Sequence, residues 1–428
     1  MGLLILAFCS CSAAAQAKFD VLHYDISIEP DIQSKSVKGS VTIRFVANVD
    51  HLDSVEFNCG SLTIDSVTQN KTVRQFSVKD SRVTITLPAL KNRQTTEVEI
   101  SYHGPPKYGF SFFPNESQAY SVFSTSQWTV CVDAPEDKAS LTLKLITPAK
   151  LTAIGNGRLA SQHAIGNDKN ESVWEQRAPI PTYVFGFAIG PYRRLIEKKN
   201  GIEFQYLVTD FSEDETRRIF RDTPDMLAFY EERAGVKYAD KTYAQVLATG
   251  NVAQEMSSFT AIHQTYGHAV LKDEQDEWLG AHEFAHQWWG NMVTCRDWNH
   301  FWLNEGIASF MAAAYLEHRF GRAAYMKEID SYRESYEKIR AAGKDKSLVF
   351  PNWDHPSRED RSLVYDKGAY VMHLLRDEMG ERAFWNGLRN FTRKYWGKSV
   401  VTADFEAVMQ EASEKSLKEF FGKWVYLK

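Results

Sequence analysis

The sequence predicts an α+β chain: an antiparallel β domain over residues 18–206, followed by a mostly helical domain over residues 207–428. Three observations carry that expectation. Apolar residues alternate with period two through the first half. The period lengthens to that of a helix after residue 206. The composition, 43% hydrophobic and 25% charged, supplies enough apolar surface for two sizeable cores and argues against disorder or a coiled coil.

Ahead of the β domain, residues 1–17 read as a secretory signal peptide. Met1 to Phe8 is largely apolar, and small residues follow, ending in Ala15-Gln16-Ala17, a cleavage pattern. No Lys or Arg precedes the apolar run. The segment is too short to remain as a spanning anchor, and no later stretch reaches membrane-helix length. The expected mature chain is therefore exported, periplasmic or secreted, with no membrane-spanning segment. Cys9 and Cys11 fall in the leader; Phe8 is bulkier than lipoprotein signals usually carry, which ranks a lipid anchor behind plain export. Cys59, Cys131 and Cys295 remain, an odd set with no paired spacing, so neither a disulfide framework nor a Cys-x-x-Cys metal site is expected. A net charge of −5 argues against a nucleic-acid partner bound through a strongly basic surface.

Within the β domain, Val41, Ile43 and Phe45 alternate with Thr42 and Arg44, and Val83/Ile85/Leu87, Val98/Ile100/Tyr102 and Leu141/Leu143/Leu145 repeat the pattern. Turn clusters such as Asn58-Cys59-Gly60 and His103-Gly104-Pro105-Pro106 separate the runs. In the second half, Ser212 is an N-cap ahead of acidic residues, and Ile219, Leu227 and Tyr230 follow a helical repeat from Glu213 to Arg233, closed by Gly235. Ala244 to Ala248 interrupts the helices as a strand. No internal repeat or low-complexity linker separates the halves, which are expected to pack directly on each other.

The chemistry is concentrated in His282-Glu283-Phe284-Ala285-His286. Two histidines at i and i+4 share one face of a helix, so both imidazoles reach one metal ion, and Glu283 sits beside that face within reach of a water. A catalytic zinc site needs three protein ligands and one open position. Glu305, nineteen positions after His286 in Trp302-Leu303-Asn304-Glu305-Gly306, supplies the third from a second helix, with a helix end at Gly290-Asn291 letting the chain turn back. The expectation is one zinc ion per chain, held by His282, His286 and Glu305. Five tryptophans fall between Trp278 and Trp302; they are expected to pack the zinc helices rather than line a substrate pocket.

The run from His282 through Trp288-Trp289-Gly290-Asn291-Met292-Val293-Thr294, with Trp302 to Ala308, resembles the zinc segments of the aminopeptidase N family. Asp20 to Ile26, Cys131-Val132-Asp133-Ala134-Pro135 and Thr182-Tyr183 to Gly190 extend the resemblance over nearly the whole mature chain, with Val130 where the family has proline. The resemblance implies a thermolysin-like catalytic domain, with the active site in the cleft between the halves, and zinc-dependent release of N-terminal residues from peptides. Glu283 would be the general base and acid, and Tyr365, in Tyr365-Asp366-Lys367-Gly368-Ala369, the oxyanion donor; Tyr370 fits core packing. It also implies Glu255 as the anchor for the substrate's α-amine. There the family's Gly-x-Met-Glu-Asn reads Val252-Ala253-Gln254-Glu255-Met256, so glycine, methionine and asparagine are replaced. That departure motivates an alternative, an endopeptidase or a zinc peptidase of altered specificity. A non-catalytic peptide-binding protein on the same scaffold is a further one, disfavoured by the intact Glu283 and Tyr365. His300 is expected to lie outside the metal ligands, and Gln127, whose neighbours do not match the family, is given no role. Relatives usually continue into a helical C-terminal domain. Here the chain reaches the end of its resemblance at Phe420 to Lys428, so two domains are expected, with a pocket open on one side.

Overall fold

The computed structural model describes residues 17–350 and 356–428. The expected leader, Ala17 apart, lies outside the described residues, together with Cys9 and Cys11. The first half is β-rich and the second mostly helical.

The first half is built on an eight-stranded sheet around the strands Phe19–Asp31, Ser36–Ala47, Thr95–Gly104 and Lys138–Pro148. The period-two residues become cross-strand neighbours: Ile26 pairs with Val41, and Val41 with Ile100. Val41, Ile43, Phe45, Val98, Ile100, Leu143 and Leu145 are all fully buried on the core face. One pairing departs from the antiparallel expectation. Phe19–Asp31 runs parallel to Lys138–Pro148, with Ile26 opposite Leu143. More than a hundred residues separate the two strands, ample for the long return a parallel pairing requires and a hairpin cannot provide. Two smaller sheets complete this half, one of three strands with Arg82–Leu90 at its centre and one of four containing Phe187–Gly190.

A five-stranded mixed sheet follows. Ile202–Val208 pairs antiparallel with Arg193–Lys199 and parallel with Thr242–Ala248, which runs parallel to Phe259–His263. Ala253–Gln254 forms the edge. The position 206 at which the periodicity changes falls inside the strand Ile202–Val208. Ser212 caps the first helix as expected, its hydroxyl accepting from the Glu215 N–H in a reciprocal capping box. The single helix expected from Glu213 to Arg233 is instead two, Glu213–Ile219 and Thr223–Ala234, the second ending at left-handed Gly235. Pro224 explains the break. It has no N–H to give, and its ring would strike the carbonyl of Phe220, so it sits in the first turn of a new helix.

The helix Trp302–Phe320 runs through the centre of the second half, buried on all sides from Trp302 to Leu316. It meets the helix Gly368–Met379 backbone to backbone. A Cβ on Gly368 would lie 2.9 Å from the Gly306 Cα. Gly368→Val is therefore expected to destabilise the chain by about 1–3 kcal/mol, because neither backbone can yield; denaturant unfolding checks it.

Candidate active site

The helix Trp278–Ala285 delivers His282 in its last turn, and His286 is its C-cap. The α-helix stops there. Tighter turns follow, the Gln287 N–H donating to the Phe284 carbonyl and the Trp288 N–H to the Ala285 carbonyl, so the regular helix ends some residues earlier than Gly290-Asn291. Gly290 is needed at this point because a Cβ there would stand 2.8 Å from His286 Nδ1.

That nitrogen donates to the Trp289 carbonyl at 3.0 Å. A carbonyl only accepts, so Nδ1 carries a proton, and in the neutral ring Nε2 is the nitrogen left to bind a metal. His282 Nδ1 is paired with the Ser309 hydroxyl at 3.3 Å. The two Nε2 atoms lie 3.1 Å apart, and Glu305 Oε2 lies 3.4 Å from the first and 3.3 Å from the second. All three side chains are buried, and Glu305 Oε2 is a buried oxygen with no hydrogen-bond partner. Acceptor atoms packed this closely repel unless a proton or a metal cation lies between them. Burial works against a charged His286, yet Glu305 and Glu255 push it up to about 10. Burial likewise opposes ionisation of Glu305, but His286 and His282 hold it down to about 2. The donor set fits a metal ion, and each histidine's other nitrogen is held by a partner on the protein.

Glu283 and Glu255 stand beside this triad, their carboxylates and His286 clustering closely enough to share a cation. Glu283 is buried with one oxygen unpartnered, and burial followed by the Glu255 charge pushes it well above the carboxylate range. Burial pushes Glu255 up to about 6, with His286 pulling it down and Glu305 pushing it up. Glu255 follows the edge strand Ala253–Gln254, and its carbonyl accepts from Asn291 Nδ2 at 3.1 Å. Val252, the residue before that strand, is buried in a core cluster with Val246 and Phe259.

Tyr365 lies in a single π-helical turn, Leu363–Lys367, a distortion that often marks functional sites. Its ring centroid is 5.9 Å from that of His282. Burial and the carboxylates of Glu305, Glu255 and Glu283 push its phenol well up, so it remains a neutral donor. The rest of the motif is structural. Lys367 is fully buried, donating to Asp345 at 2.7 Å and to the Lys346 carbonyl at 2.8 Å. Gly368 permits the contact with Gly306. Tyr370 packs against Tyr336 and Trp424.

His300 stands apart from the metal triad, its Nδ1 accepting from the Thr402 N–H at 3.2 Å. Gln127 points at Gly60 in the β half. Trp288, Trp289 and Trp302 are fully buried, with indole N–H bonds to Val236, Thr392 and Thr402. Trp278 stacks on His282 with centroids 4.8 Å apart. The β half reaches the site through Tyr183, whose hydroxyl donates to the Gly290 carbonyl and accepts from Asn304. Lys138 braces the turn after the histidines, donating to the Met292 carbonyl at 2.6 Å. A cavity of about 1210 Å³ between the halves, lined by Asp137, Lys138, Arg296 and Lys398, contains none of the triad. Sequence reasoning missed Ser309, Gln254 and Lys138. Ser309 had a signal, since it lies one helical turn after Glu305 and so on the same face.

A β domain set against a helical half that carries a His-Glu-x-x-His metal triad is the layout of a metallopeptidase. The chain belongs to peptidase family M1: residues 219–424 match the Peptidase family M1 domain, and residues 21–184 match the Peptidase M1 N-terminal domain. Aminopeptidase N of Lactococcus lactis is 25% identical over 94% of this chain and 50% of its own length. Aminopeptidase 2, mitochondrial, of Saccharomyces cerevisiae is 22% identical over 94% of this chain and 46% of its own. The chain thus spans about half the length of the curated relatives it matches. An M1 zinc metallopeptidase from Deinococcus radiodurans, solved with a Tyr-Ser-Ala substrate, superposes with a TM-score of 0.82 at 22% identity, covering 96% of this chain and 95% of that one.

Proposed function

We propose that the chain is a zinc-dependent aminopeptidase that releases N-terminal residues from peptides. The observation that carries this reading is the convergence of His282, His286 and Glu305 with Glu283 and Glu255 immediately beside them. When bound, zinc supplies the Lewis acidity that activates a water and polarises the scissile carbonyl. The protein does the rest. The Trp289 carbonyl and the Ser309 hydroxyl hold the two imidazoles with Nε2 turned inward. Glu283 takes the proton from the attacking water and delivers it to the leaving nitrogen, a role suited to a carboxyl whose pKa is raised by burial. Tyr365 donates to the developing oxyanion. Glu255 accepts the substrate's ammonium through a charge-assisted bond. Export is part of the same proposal, supported by the leader pattern ending at Ala17 and compatible with the absence, among the described residues, of any helix long and apolar enough to cross a membrane.

The reading is tested on a peptide with a free N-terminus and its N-acetyl counterpart, with and without chelator. The free peptide is expected to lose one residue at a time from its N-terminus. A chelator should slow this at least about a hundredfold, and one zinc equivalent per chain should restore it. Equal cleavage of the blocked peptide would favour the endopeptidase alternative. No zinc-restorable turnover on either peptide would leave the binding-protein alternative.

A further inference from the structure

The replacement of methionine by Gln254, immediately before the amine anchor, changes what holds that anchor. Gln254 closes the edge strand opposite Ala261 and is 3% exposed. Its side chain turns toward its neighbour, Nε2 donating to Glu255 Oε2 at 2.6 Å. A methionine there would have no donor to offer.

The backbone around Glu255 is already tied to the histidine helix and the turn that follows it. Asn291 Nδ2 donates to the Glu255 carbonyl at 3.1 Å. Gln287, directly after His286, donates to the Met256 carbonyl at 3.1 Å and accepts from the Ser258 N–H at 2.9 Å. With the main chain held on both sides, the freedom left to Glu255 is that of its side chain, and the bond from the Gln254 amide restricts it. We propose that Gln254 is a positioning residue that fixes the Glu255 carboxylate by engaging one oxygen and aiming the other at the α-ammonium of a bound peptide. This rests on the aminopeptidase reading. It assigns to the altered family motif a gain: an anchor pre-set by a hydrogen bond to a charged acceptor, so that less side-chain freedom is lost when the amine arrives.

The test uses the full-length zinc enzyme, a free-amine peptide and its des-amino analogue, which keeps the first side chain but carries hydrogen in place of the amine. Gln254→Met matches the length and volume of the glutamine. It is expected to raise KM for the amine peptide about tenfold, the loss that follows removal of one hydrogen bond to a charged group, with kcat within about twofold and the des-amino KM unchanged. Gln254→Glu keeps the shape but sets a second carboxyl against Glu255, and is expected to raise the amine-peptide KM at least as much. An unchanged amine-peptide KM in either variant overturns the proposal. So does an equal rise for both substrates, which is what a packing role would produce. A wild-type enzyme indifferent to the amine would instead overturn the aminopeptidase reading, and that outcome is visible before any variant is made.

Discussion

Glu283→Gln is expected to lower peptide turnover by about 10²–10⁴-fold, the range that general acid–base catalysis supplies, while the chain keeps its full zinc content and folded stability. Three features of the site lead to that separation. First, the carboxyl is not among the triad atoms that converge for the metal; those belong to His282, His286 and Glu305. Second, one of its oxygens is buried without a partner, so the amide breaks no bond at that atom. Third, glutamine keeps the length and shape of the buried glutamate, so the packing around it is preserved. The amide can neither take nor deliver a proton. Metal analysis, an unfolding curve and single-turnover hydrolysis of one peptide check the three parts together. If zinc left with activity, the residue would be acting on the metal. If kcat changed less than tenfold, another base would have to serve.

Much of this site was legible because two of its signals depend only on helix geometry. A histidine pair at i and i+4 shares a face whatever surrounds the helix, and Glu305 is nineteen residues on, far enough for the chain to return. The strands were legible for a similar reason: Val41, Ile43 and Phe45 reach one side of any strand, and that side is the core. What was hidden depends on the chain meeting itself at long range. The parallel pairing of Ile26 with Leu143 is fixed by packing, and neither strand's own pattern records its partner's direction. Lys138 braces a turn more than 150 residues away. The Gln254 bond to Glu255 was hidden differently. Neighbours on a regular strand face opposite sides, so only the end of the edge strand at Gln254 lets the two side chains meet. The break before Pro224 belongs to neither class; the residue was in view, and its consequence for a helix spanning Phe220 is local sterics.

Tyr365→Phe carries the second large effect. Removing one oxyanion donor is expected to cost about 10²–10³ in kcat, about 2.7–4 kcal/mol, with KM changed only a few-fold. The split follows from where the hydroxyl works. Its raised pKa keeps it protonated through the neutral range, so it is always available to donate. The charge it serves develops only as the carbonyl is attacked, so the ground-state complex loses little. The ring should stay in place, because the features that set it do not involve the hydroxyl: the π-helical turn, the buried Lys367–Asp345 pair and the Gly306–Gly368 contact. Retained stability in Tyr365→Phe is therefore part of the expectation, in contrast to Gly368→Val, which attacks the support and should lower stability and activity together. The double variant Glu283→Gln/Tyr365→Phe sharpens the assignment. Two groups serving the same transition state are not independent, so the combined loss should fall short of the product of the single losses. A combined loss equal to the full product would mean that the two groups act independently of each other, and a kcat loss in Tyr365→Phe smaller than tenfold would mean that another donor reaches the oxyanion.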